Sequence, residues 1–87
     1  MKRWSMIFKI FGNINRLKIV KLLSTSRGMY VTDIASKLDI SLKSTSKHLI
    51  LLNNLDVLEY KGQIGHVLYF INPDMPADLK QVLKLFL

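Results

Sequence analysis

Residues Ser41 to Asp56 read SLKSTSKHLILLNNLD. The first half holds three serines and two lysines, and the second carries Leu49, Leu52 and Leu55 at helical spacing. A helix built only to pack has no use for a bare hydroxylated, cationic tip. A helix whose tip enters a groove lined with phosphates does. Ser41 is suited to cap such a helix because its hydroxyl can accept from a backbone amide of the first turn.

Upstream of this stretch, Thr32 is expected to cap a brief helix carrying Ile34, Ala35 and Leu38, with Asp39-Ile40 as a tight connection. Met29 to Val31 reads as a short extended piece, and STSRG (24–28) as a turn. Before that, Ile14 to Leu23 carries Leu17, Val20 and Leu23 on one side and Arg16, Lys18 and Lys21 on the other, with Asn13 as its cap. The chain opens with Trp4, Ile7, Phe8 and Phe11, a stripe at i, i+3, i+4, i+7, closed by Gly12.

Downstream the period changes to that of strands. Val57, Leu58 and Tyr60 form one strand and residues 67–71 (VLYFI) the return, with KGQIG (61–65) between them as the loop. Asn72-Pro73-Asp74 breaks the strand. Asp74 is expected to cap a last helix whose stripe is Leu79, Val82, Leu83 and Phe86, with Pro76 in its first turn. The order is helix, helix, short helix, helix, hairpin, helix. The fold class is therefore mainly α with a small antiparallel β-hairpin. A short helix, a tight turn and a polar-tipped helix make a helix-turn-helix, and the hairpin after it makes a wing.

Composition supports this. With 87 residues, one domain is expected, spanning 1–87, with terminal helices at 1–12 and 74–87, the helix-turn-helix at 32–55 and the wing at 57–71. A domain of this size buries little more than about 60% of its chain's surface. Yet 49% of the residues are hydrophobic, with mean hydropathy +0.22. The apolar surplus points to a second chain. The net charge is +7 and the pI about 9.9. Residues 1–47 carry +8 and residues 48–87 carry −1, which points to nucleic acid or an anionic surface. There is no cysteine, so no disulfide and no thiolate metal site; this fits a cytoplasmic location. MKRWSMIFKIFG (1–12) opens like a signal peptide, but Lys9 interrupts it and no cleavage site follows. No apolar run approaches the ~20 residues that span a bilayer.

These residues resemble the ArsR-type winged-helix repressors. Phe8 to Leu23 (FKIFGNINRLKIVKLL) is similar to the family's second helix, whose Asp-Pro-Thr-Arg-Leu opening reads here Asn13-Ile14-Asn15-Arg16-Leu17. Val31 to Leu38 (VTDIASKL) is similar to the first helix of its helix-turn-helix. Ser46-Lys47-His48-Leu49 is similar to the Ser-x-His-Leu of its recognition helix, and Gly65 to Phe70 (GHVLYF) to its wing strand. The resemblance implies a DNA-binding repressor with paired first and last helices. Metal sensors of the family often carry Cys-x-Cys at the short helix. The matching positions here are Tyr30 and Thr32, and the last helix offers Asp74 and Asp78 but no histidine. No metal or other cofactor is expected at these sites.

The candidate contacts follow from chemistry. The major groove, about 12 Å wide, admits one helix, which such proteins read with its first turns. Those turns here present Ser41, Lys43, Ser44, Ser46 and Lys47, with Thr45 turned inward. Lys43 and Lys47 share a face and could reach phosphate or guanine. His48 either packs half-buried against the wing or contacts DNA. Lys61, Gln63 and His66 lie on the wing. Arg16 reads as structural. For the dimer interface the stripes nominate Trp4, Ile7, Phe8, Phe11, Leu79, Val82, Leu83 and Phe86.

The reading is thus a homodimeric, sequence-specific regulator, most simply a repressor, whose partners are double-stranded DNA and a second copy of itself. The sequence names no effector. The alternative is a winged-helix protein-interaction module or a non-specific architectural DNA binder. An amphipathic membrane-surface protein is disfavoured by the hairpin. An enzyme is disfavoured because the six acids and two histidines form no catalytic pattern.

Overall fold

The computed structural model describes residues 2–63 and 66–85. Its elements are α1 (Lys2–Phe11), α2 (Ile14–Ser24), β1 (Met29–Tyr30), α3 (Val31–Leu38), α4 (Leu42–Asn54), β2 (Leu58–Gln63), β3 (His66–Ile71) and α5 (Ala77–Lys84). The hairpin gains a third strand. The sheet order is β1-β3-β2, all antiparallel, with Tyr30 opposite Leu68.

Helix starts follow local chemistry where a side chain can cap. Asn13 Oδ1 accepts from the amides of Asn15 at 3.0 Å and Arg16 at 3.2 Å. Ser41 Oγ accepts from Ser44 N at 3.0 Å. Two other starts differ from expectation. Thr32 does not cap α3; Tyr30 precedes the helix in an extended conformation, because pairing with β3 holds it there. Asp74 does not cap α5. The residue before a proline avoids the helical region, so Met75 stays outside and Pro76 takes the cap position. Met75 is instead buried in the core.

The hairpin loop is also shorter than KGQIG suggests. Lys61 pairs with Leu68, Gly62 with Val67 and Gln63 with His66. Gly62 stands in β2 at φ 116°, where a Cβ would come within 2.1 Å of His66 O. Glycine there permits close backbone approach, one of its uses in strands. The expected loop residues Ile64 and Gly65 lie outside the described residues.

Both helices of the helix-turn-helix stop in the same way. Asp39 (φ 55°) and Asp56 (φ 64°) follow them in the left-handed conformation. Ile40 N donates to Ala35 O and Asp39 N to Ser36 O; Val57 N donates to Leu52 O and Asp56 N to Asn53 O. This is the Schellman pattern. It turns the chain within three residues, so α3 and α4 pack directly.

The core draws on every helix, through Ile7, Ile10 and Phe11 of α1, Ile19, Val20 and Leu23 of α2, Ile34 of α3, Leu49 and Leu52 of α4, and Leu79, Val82 and Leu83 of α5. Five of the eight residues nominated for the interface lie in this core. Ile7, Phe11, Leu79, Val82 and Leu83 are at most 5% exposed in the single chain, because a small domain has no other helices to close its core. Of that set, Trp4 and Phe8 face outward, stacked with ring centroids 5.9 Å apart. Phe86 lies outside the described residues. Arg3 and Asp78 join the first turns of α1 and α5 at 2.5 Å, and that hydrogen bond holds the Asp78 carboxyl below the usual carboxylate range.

The left-handed turns give a stability test. Asp56→Val should cost about 1–2 kcal/mol, since a β-branched residue tolerates that conformation poorly. Asp56→Gly and Asp56→Asn should stay within about 0.5 kcal/mol of the parent in urea unfolding. Equal losses for Val and Gly would show that the aspartate side chain, not the backbone, holds the turn.

Candidate nucleic-acid interface

The first turns of α4 are held by a buried hydroxyl. Thr45 is fully buried, and its Oγ1 donates to Ser41 O at 2.8 Å. Both bonds lie within the first turn of α4, and the burial of Thr45 seats that turn against the body. The helix phase then sets which residues stand out. Lys43 and Lys47, one turn apart, are exposed together with Ser41 and Leu42, while Ser44, Ser46 and His48 are half-buried. Ser41 Oγ accepts from Ser44 N and keeps its own proton to donate. Ahead of it the first amides of the helix have no carbonyl one turn back to bond, and the dipole there favours an anion. The tip can therefore bind phosphate oxygens through hydroxyl, amide and ammonium donors together.

His48 is held by a residue of α2. Its Nδ1 accepts from Arg16 Nε at 3.2 Å. Arg16 Nη1 also donates to Ile10 O at 3.1 Å and Lys9 O at 3.4 Å, at the end of α1. An imidazole accepting at Nδ1 is neutral and carries its proton on Nε2. His48 thus presents one defined donor. Burial first, and the Arg16 charge second, hold His48 below the ordinary histidine range.

On the wing, Lys61 is exposed in β2 and His66 in β3. Register puts Lys61, His66 and Leu68 on one face of the sheet. Tyr30 joins that face through β1, edge-on to His66 at 6.4 Å between ring centroids. Sequence reasoning treated Tyr30 only as a missing ligand. Its place was signalled weakly by the extended Met29-Tyr30-Val31 piece, which does not say which strand it joins. The link from Arg16 to His48 was equally hidden, since the two are 32 residues apart. Among the described residues no three His, Cys, Asp or Glu side chains come together as a metal site. No helix among the described residues is long and apolar enough to cross a membrane.

Three packed helices, a reversed turn and a three-stranded wing, with a basic hydroxylated tip on the second helix of the turn, define a winged helix-turn-helix domain. The chain belongs to the arsR family of bacterial regulatory proteins, whose model matches residues 13–60. It is 42% identical over 64 residues to the cadmium resistance transcriptional regulatory protein CadC of Listeria innocua, covering 74% of this chain and 54% of that one. It is 38% identical over 71 residues to the arsenical resistance operon repressor of Escherichia coli, covering 82% and 61%. The chain thus spans little more than half the length of these relatives. Among solved structures, the homodimeric winged helix-turn-helix DNA-binding domain Mb0332 of Mycobacterium bovis has the same fold. It superposes with a TM-score of 0.77 at 23% identity, covering 97% of this chain and 74% of that one. These relatives are regulators, not enzymes.

The Arg16–His48 contact predicts a titration. His48 should have its NMR midpoint below the ordinary value of about 6.5. In Arg16→Gln the midpoint should move up but not fully, because burial is the larger cause. The sign for stability follows: the unfolded chain takes the proton first, so stability declines as pH falls through about 6.5. An unshifted midpoint in both proteins would remove the contact from solution.

Proposed function

We propose that this chain is a homodimeric transcriptional repressor that reads a palindromic operator in the bacterial cytoplasm. One observation carries the reading: the first turns of α4 are anchored by a buried Thr45 yet present Lys43 and Lys47 to solvent. A tip that is both rigid and cationic suits direct readout, in which phosphate contacts set position and base contacts set specificity. In this reading Lys43 and Lys47 bind phosphate or guanine, and Ser41, Ser44 and Ser46 allow close approach. His48 Nε2–H donates a hydrogen bond to an acceptor on the DNA. Lys61, Gln63 and His66 contact the flanking backbone or minor groove, beside Tyr30. The repressor named in Escherichia coli supports the direction of regulation.

The dimer places the terminal helices, 1–12 and 74–87, at the two-fold axis. The support is the exposed Trp4–Phe8 stack and the exposed Leu85, together with the homodimeric state of Mb0332. Two recognition helices then lie one DNA turn apart, about 34 Å.

Fluorescence anisotropy against promoter and scrambled duplexes across a salt series tests the reading. Promoter DNA should bind at least ~10³-fold tighter, with log K falling steeply with log salt. Equal, salt-sensitive binding to both would make the chain an architectural binder, and absence of binding at low salt would favour a protein-interaction module. Lys47→Ala should lower the salt slope by about 1 if the side chain meets phosphate. If it reads a base, Lys47→Ala should instead relax specificity at one position.

The dimer has its own test. Trp4→Glu with Phe8→Glu changes exposed positions, so the fold should survive by circular dichroism while light scattering reports monomers. A double variant that stays dimeric places the interface elsewhere.

A further inference from the structure

A cleft of about 750 Å³ opens between the end of α2, the end of β3 and α5. Its size suits a small molecule. β1 is two residues long and its register stops at Tyr69, so no β1 residue stands opposite Phe70 or Ile71, which line the cleft. The floor is apolar: Leu23, Met75 and Leu83 line it and are at most 6% exposed. The rim is cationic. Arg27, on the turn after α2, and Lys80 and Lys84, one turn apart on α5, all line it and are exposed. The described lining holds no carboxylate. Asp78, the acid on α5, is committed to Arg3. Ser24 and Ser26 spend their hydroxyl protons on Lys21 O and Leu23 O.

We propose that this cleft binds a small amphiphilic anion, its apolar body on the floor and its carboxylate or sulfonate head between Arg27, Lys80 and Lys84. The pairing of an apolar floor with three cations and no lining acid fits such a ligand at both ends. A second copy of the chain fits less well. Two-fold pairing across the cleft itself would bring like rims together; the proposed axis is met instead by the Trp4–Phe8 stack and Leu85.

Calorimetric titration of the full chain tests the site without DNA, so its outcome is separate from that of the operator reading. The probes are decanoate, decanol and decyltrimethylammonium, each below its micelle concentration. Decanoate should bind saturably, one per protomer, and shift the amide resonances of Leu23, Ile71 and Leu83. Lys80→Glu with Lys84→Glu, both exposed, should leave the fold intact by circular dichroism and weaken decanoate roughly tenfold or more. Decanol should bind the parent more weakly than decanoate and lose nothing in the variant. Equal affinity for all three probes, no effect of the charge reversal, or shifts centred on Trp4 and Phe8 would each overturn the site. So would a parent dimer that the charge reversal turns monomeric, since the cleft would then be an interface between copies.

Discussion

One guanidinium holds three helices in a fixed relation. Arg16 lies in the first turn of α2, where Asn13 caps the helix and accepts from the Arg16 amide. Its side chain reaches two carbonyls at the end of α1 and the imidazole of α4. The last carbonyls of a helix have no partner within it, and a cation suits that end. The bond that finishes α1 is thus made by the same group that fixes which nitrogen of His48 carries the proton. The donor on α4 follows from one residue, which also ties the end of α1 to α2. Losing it would leave two carbonyls and one imidazole nitrogen without their partner, and such losses act together, not singly.

Most of this was legible in the sequence where the cause was local. Asn13 and Ser41 cap as their side chains dictate, and the leucine spacing of α4 gives its buried face. Thr45 turns inward as its place in that spacing requires. The failures are long-range. Whether Tyr30 ends an extended piece or begins a helix depends on Leu68, far along the chain. Gly62 reads as loop because glycine is rare in strands, yet it is demanded by the approach of His66 O. Cap preference suggested Asp74, but the proline two residues on decides where α5 can begin.

The terminal stripes serve the core of the single chain before any interface. Terminal stripes resemble an interface because they stand at the ends of the chain. In a domain this small the ends must also close the core, so Ile7, Phe11 and all three buried residues of α5 are spent inside. The exposed hydrophobics are offset around the helices: Trp4, Met6 and Phe8 on α1, Leu42, Ile50 and Leu51 on α4, with Ile14 starting α2 and Leu85 following α5. Hydrophobic periodicity marks a face. It does not say whether that face meets the same chain or another.

α5 is short, yet three surfaces converge on it. Its inner side closes the core, its first turn meets Arg3, and Lys80 and Lys84 border the cleft. The contacts run on from Arg3 along α1 to its last carbonyls, then through Arg16 to His48. They differ in strength along the way. The Arg3–Asp78 pair is largely solvated, and exposed ion pairs hold little. Arg16 bonds in a partly buried setting, where the same geometry counts for more. The solvated pair therefore adds little to the joint between α1 and α5, which the core side chains of both helices hold, while the Arg16 bonds add more where α1, α2 and α4 meet.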